Sequence, residues 1–362
     1  MSPEIRLGVL DQIPIRDGGT AADAISETFE LAETTDRLGY SRYWLAEHHN
    51  AGSLACSSPE ILIPQVAART STIRVGSGGV MLPHYSSLKV AENFRTITTQ
   101  FPGRIDLGVG RAPGSDGRTA RALVHGPGAL GIDHFPEQLL DLYGWLADDL
   151  PHDHQYRDVR ASPPNAPMPE LWLLGSSHYG GHVAAELGWS HCFAHFISPE
   201  GGEQVVRKYR ERFQPSPVSP EPRASLGVSV TVAETDEEAE QLCWSRWCWR
   251  IKGNRGARGG IPSVEEALNF PYSQPELDYI GYMQNRSIHG SPQRVREKLE
   301  QLAVAYDVDE FVVLTITYDF AARIRSYELL ADVFELSQRS PSQGELPKSL
   351  PPARTGAEGV PS

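Results

Sequence analysis

Cysteine is scarce, with four in 362 residues. Cys56, Cys192, Cys243 and Cys248 form no C-x-x-C pair and have no histidine at zinc-finger spacing. That spacing argues against a zinc site or a dithiol redox motif, and no metal ligand set is expected. The four read as buried free thiols of a protein kept in a reducing cytoplasm. Basic charge is also in short supply. There are 33 Lys and Arg against 46 Asp and Glu, a net charge of -13. A nucleic acid or an acidic membrane surface would want a basic face, so neither is an expected partner. No window approaches the roughly 18 apolar residues of a membrane span. The opening MSPEIRLGVLDQIP has no basic segment leading into an apolar run, so no signal peptide is expected. The G-x-G of Gly108 to Gly110 lacks the later glycine and acidic residue of a dinucleotide fingerprint.

What is present is a regular alternation. Hydrophobic residues make up 40% of the chain and charged ones 22%, enough for a large core. Short apolar runs at 5–10, 41–46, 73–80, 104–109, 171–174, 190–195, 226–233 and 309–315 predict eight strands. They are continuous runs, as expected when both faces of a strand are covered. Helical patterns separate them. The first is announced by a capping box at Thr20 and Asp23 and stopped by Gly39. Eight βα units is the number that closes a barrel, so the predicted fold is α/β, a (β/α)8 TIM barrel with insertions. A doubly wound sheet of six or seven strands with a small subdomain is the alternative. One domain is expected over 1–337. It carries a polar, Gly/Pro-punctuated insertion at 251–289, and a disordered Ser/Pro/Gly-rich tail follows at 338–362.

In such a barrel the functional groups sit at the carboxyl ends of the strands. That rule selects the Glu47-His48-His49 run, the Gly78-Gly79 pair, Arg111, and the stretch from Gly175 to Gly181. Each has two readings. Ser176, Ser177 and Gly180 open a helix, whose N-terminus makes an anion site or is simply an N-cap in a glycine-rich turn. Arg111 suits a phosphate or forms a surface salt bridge. Gly78 and Gly79 admit a flat ring or another backbone, or mark a kink. His48 is an acid/base candidate or a histidine packed in a loop. Adjacent histidines on a strand point to opposite faces, so His48 and His49 make poor joint metal ligands.

Together the segments RYWLAEHHN, STIRVGSGGVMLPH, PGRIDLGVGRAPG, LWLLGSSHYGGHVAAELG, HGSPQRVREKLEQL and ARIRSYELL resemble the bacterial luciferase-like flavin-dependent oxidoreductases. The resemblance covers about residues 5–336 and is nearer the stand-alone, non-luminescent group. It implies a barrel that binds reduced FMN at its carboxyl-end mouth. Gly78-Gly79 matches a cis peptide beneath the flavin ring, Arg111 a flavin-phosphate arginine, and Ser176, Ser177 and Gly180 the phosphate loop. His48 matches a histidine near the reacting flavin, and 251–289 a mobile lid.

The implied activity is that of a two-component monooxygenase. Reduced FMN comes from an NAD(P)H:flavin reductase, and one oxygen of O2 passes to a small organic substrate. A deazaflavin (F420)-dependent reductase or dehydrogenase and a non-enzymatic flavin-binding protein are the rival readings. The family also implies a homodimer. Gly110 stands where luminescent members carry cysteine, and His178-Tyr179 depart from the usual phosphate loop. Trp172, Tyr179, Phe270, Tyr272, Tyr279 and Tyr282 are offered as a pocket for an aromatic or polyketide-like substrate. The Arg-, Ala- and Pro-rich composition suits bacterial secondary metabolism.

Overall fold

The structure is a computed structural model and describes residues 4–112, 116–124 and 132–336. The expected tail at 338–362 lies outside them.

Eight parallel strands close into a ring. In chain order the strands are β1 (Arg6–Asp11), β2 (Arg42–Leu45), β3 (Arg74–Met81), β4 (Ile105–Gly110), β5 (Glu170–Gly175), β6 (Ser190–Ala194), β7 (Ala224–Val232), β8 (Ile288–Gly290) and β9 (Glu310–Leu314). Neighbours pair in sequence from β1 to β7, and β9 sits between β7 and β1 to close the barrel. The three-residue β8 pairs with the carboxyl end of β7 and stays outside the ring. Closure settles the choice against a doubly wound sheet.

The strands form where the apolar runs predict, since both faces are covered. All nine residues of β7 and all five of β6 are buried. One shell packs between strands and helices, with Leu7, Val9, Val75, Leu107, Leu226 and Val313 among its members. A second, smaller cluster fills the barrel interior, with Leu10, Trp44, Trp172, Cys192 and Val312. The helix Ala21–Leu38 starts and stops as its sequence dictates. The Thr20 hydroxyl accepts from Asp23 N–H at 3.2 Å, and Gly39 leaves the helix with φ +89°.

The insertion differs from expectation. The helix Asp236–Asn254 runs past residue 251, and two further helices follow, Val264–Leu268 and Gln274–Arg286. They carry their own apolar cluster of Trp247, Ile251 and Ile280, with Trp244, Phe270, Tyr272 and Tyr279 packed on it. The polar outer faces of short helices concealed this cluster. Among the described residues no helix is long and apolar enough to cross a membrane.

Candidate active site at the barrel mouth

The strand exits enclose a cavity of about 540 Å³. Small-molecule sites usually span roughly 300–1,000 Å³. His48, Gly78, Gly79, Arg111, Ser176, Ser177 and Gly180 all line it. Four strand exits therefore deliver to one place what the sequence spreads over 133 positions (from 48 to 180).

One wall is bare backbone. The Gly78-Gly79 peptide is cis. A Cβ at Gly78 would stand 2.6 Å from Leu10 Cδ1 and 3.0 Å from Trp44 Cβ, and one at Gly79 2.8 Å from the Gly108 carbonyl oxygen. Neighbouring strands thus crowd both positions, most strictly at Gly79, where the contact is with backbone. Gly175 is the opposite case, since a Cβ there would meet no atom within 4 Å. Leu10, Trp44, Leu174, Phe196 and Val312 complete an apolar lining. Cys192 also lines the cavity, and burial pushes its thiol up to about 12, so it stays protonated.

The other wall is polar and unpartnered. Ser177 is the N-cap of the helix His178–Leu187 yet makes no side-chain cap bond. Neither its hydroxyl nor that of Ser176 has a hydrogen-bond partner among the described residues. The helix N-terminus behind them favours an anion. Arg111 is exposed, and its guanidinium lies 4.3 Å from the centroid of the Tyr179 ring. No carboxylate among the described residues pairs with it, so the surface salt-bridge reading fails. Beneath the helix start is buried His191, whose Nδ1 lies 2.8 Å from the Leu173 carbonyl oxygen. Burial pushes this imidazole down to about 4.

His48 and its neighbours have divided roles. Glu47 is buried and fully engaged. It accepts from Met81 N–H at 3.0 Å and Tyr85 Oη–H at 2.7 Å, and its Oε1 is 2.6 Å from His49 Nε2. Glu47 thereby ties the β2 exit to the β3 exit. His49 turns to Glu47, just past the end of β2. His48 faces the cavity, with Nδ1 buried and without a partner among the described residues. Burial, with His49 beside it, pushes its imidazole down to about 4. At neutral pH it is therefore an uncharged ring. A second, smaller cavity of about 330 Å³ lies on its other side, lined by Asn50, Ser57 and Arg258.

Most of the expected aromatic pocket is absent. Tyr179 lines the cavity. Trp172 is buried in the barrel, edge-on to Trp44 at 5.3 Å and under the Arg42 guanidinium. Phe270, Tyr272 and Tyr279 belong to the apolar cluster of the insertion, and Tyr282 is exposed and stacked on Tyr279. These rings pack the insertion, as bulky side chains commonly do. Two contributors were not selected from the sequence, Cys192 and Arg258, and Glu47, selected at its strand exit, acts as an organiser. Cys192 and Arg258 carried no such signal. A larger cleft of about 740 Å³, lined by His195, Asp236, Arg286 and His289 among others, shares no lining residue with the mouth.

Barrel enzymes act at this face, and here the mouth joins an apolar wall to a wall of unpartnered polar groups. Comparison with known proteins gives the class. Residues 5–308 match the model of the luciferase-like monooxygenases, and the chain belongs to that family. An N-acetyl-S-alkylcysteine monooxygenase of Bacillus subtilis (strain 168) is 38% identical over 336 residues, covering 92% of this chain and all of that one. The apo-MsnO8 crystal structure superposes with a TM-score of 0.83 at 37% identity, over 93% of this chain and 99% of the other. Two more distant structures share the fold alone. One is the oxygenating constituent of 3,6-diketocamphane monooxygenase from Pseudomonas putida in complex with FMN (20% identity, TM-score 0.66, 91% of this chain and 97% of that one). The other is a coenzyme F420-dependent tetrahydromethanopterin reductase from Methanopyrus kandleri (15%, 0.61, 91% and 97%). Family membership marks the chain as an oxidoreductase.

Proposed function

We propose that this protein is an FMN-dependent monooxygenase that receives reduced FMN from an NAD(P)H:flavin reductase and oxygenates a small organic molecule. The observation that carries the reading is the division of one cavity into a bare apolar wall and a wall of unpartnered anion donors. The groups present fit a flavin mononucleotide. Arg111, the two serine hydroxyls and the helix start behind Gly180 would hold the phosphate. The backbone of Gly78 and Gly79, with Leu10, Trp44 and Leu174, would take the ring system.

Reduced flavin, when bound, supplies the activation of O2 for oxygen transfer. The chain supplies the surroundings. Leu10, Phe196, Ile197 and Val312 keep the lining dry. His48 holds a neutral, unpartnered imidazole at the cavity wall and is the group that takes up and returns a proton there. The insertion bounded by Asn254 and Arg286 is the part proposed to close over the mouth, with Arg258 at its rim. The homologue that oxygenates an N-acetyl-S-alkylcysteine favours a small substrate over a polycyclic one.

His48→Ala tests the role of the imidazole. We expect FMN affinity to be kept and oxygen-dependent turnover to fall about 10²- to 10⁴-fold, the usual worth of a positioned acid/base group. Turnover equal to wild type would remove His48 from the chemistry. FMN and F420 titrations side by side test the cofactor, and tighter binding of F420 would replace this reading with the deazaflavin one.

A further inference from the structure

We propose that the smaller cavity beyond His48 is the receptor for a substrate carboxylate, held by Arg258, so that the substrate is a small organic acid. The proposal rests on the oxygenase reading of the larger cavity and names the substrate class for it.

The two cavities meet at one side chain. His48 lines both, and beyond it lie Asn50, Leu54, Ser57 and Arg258. Arg258 is the one formally charged side chain among the described residues lining the smaller cavity. It comes from the insertion, far from the β2 exit in sequence, and is held there from two directions. Its Nη1 donates to Asn50 Oδ1 at 3.2 Å. Its backbone packs on Gly52, where a Cβ would stand 2.6 Å from the Arg258 carbonyl oxygen.

Asn50 is fixed in turn. It has φ +54°, and its Nδ2 donates to Asp116 Oδ2 at 3.0 Å and to Thr119 Oγ1 at 2.9 Å. Local hydrogen bonds therefore aim the guanidinium, and no carboxylate among the described residues neutralises it. The acids nearby are engaged elsewhere: Glu47 with Met81, Tyr85 and His49, and Asp116 with Asn50, Thr119 and the first turn of its helix.

A guanidinium fork with most of its donors free matches a carboxylate in shape and charge. One ligand spanning both cavities would place its acid on Arg258 and its remaining body against His48. Arg111, on the larger cavity, is separate from this and answers to the phosphate.

The test is binding of phenylacetate and hexanoate beside their neutral amides, by calorimetry, to wild type, Arg258→Ala and Arg258→Lys. Each protein is measured flavin-free and FMN-loaded. Each acid should bind about tenfold more tightly than its amide to wild type, the worth of one charge-assisted hydrogen bond. Arg258→Ala should bring the ratio to about one while FMN affinity is unchanged, and Arg258→Lys should recover part of the preference. Equal affinity for acid and amide in wild type, no detectable binding of any of the four, or a preference that survives Arg258→Ala would each overturn the proposal. Failure of FMN to bind would overturn the flavin reading alone, because the acid-to-amide ratio is also read on flavin-free protein.

Discussion

Two pairs of arginines in this barrel are treated in opposite ways, although the carboxyl end also holds a closed pair, Arg323 Nη2 on Asp11 Oδ1 at 2.8 Å. At the amino end, Arg42 and Arg74 are the first residues of their strands and are locked to acids on other strands. Arg42 pairs with Asp106 and donates through Nε to Glu310 at 2.8 Å, and Arg74 Nε reaches Asp106 at 2.7 Å. Trp44 Nε1 donates to the same Asp106 carboxylate at 2.8 Å. Burial alone would raise the Glu310 carboxyl, yet the Arg42 guanidinium holds it below its ordinary value. At the carboxyl end, Arg111 and Arg258 meet no acid among the described residues. One faces an aromatic ring and the other an asparagine. The compensated charges serve the fold, and the open ones are where ligands are proposed.

Three experiments bear on that contrast. The largest effect is expected at the closed end. Arg42→Leu leaves Asp106 and Glu310 buried without their partner, and should cost about 3–5 kcal/mol in urea unfolding. A loss under about 1 kcal/mol would mean that the network is dispensable. Next comes His191, below the helix at the mouth. Its imidazole sits near 4 in the fold against 6.5 when unfolded. Between those pH values the unfolded chain holds more protons, so stability should fall as pH drops through the window. The fall from this residue should be roughly 3 kcal/mol. His191→Gln should remove that part of the slope, and identical slopes would show that the imidazole is not neutral in the fold.

The smallest effect belongs to Tyr179. Tyr179→Leu takes the ring from beneath Arg111 and should weaken FMN by about three- to fivefold, the worth of an exposed cation–π contact. Tyr179→Phe keeps the ring face and should change FMN affinity less than about twofold. Equal effects of Leu and Phe would assign the role to the hydroxyl.

The barrel was legible because parallel strands covered on both faces must be apolar throughout. β8 was not, since three residues carry no period. The mouth was legible where strand exits fix the position, as for His48, Gly78, Gly79 and Arg111. The side lined by Ser176, Ser177 and Gly180 was legible because a helix start combined glycine with serine. Arg258 had no such signal. It reaches the mouth only because the insertion folds back, with Ile261 N–H donating to the Ile15 carbonyl at 2.8 Å. The aromatic rings were misassigned for a related reason. Tyr272 donates to the Ala267 carbonyl at 2.7 Å and packs on Phe270 and Trp244, contacts internal to the insertion that composition cannot separate from a pocket lining.

The central claim is that the open arginine at the mouth, Arg111, answers to the phosphate of a flavin. Titrating FMN and riboflavin into wild type and Arg111→Ala by fluorescence quenching tests it directly. The account predicts that FMN binds wild type more tightly than riboflavin does. It also predicts that Arg111→Ala weakens FMN by about tenfold or more, as loss of a charge-assisted contact would, and leaves riboflavin unchanged. The same FMN affinity in both proteins would contradict it.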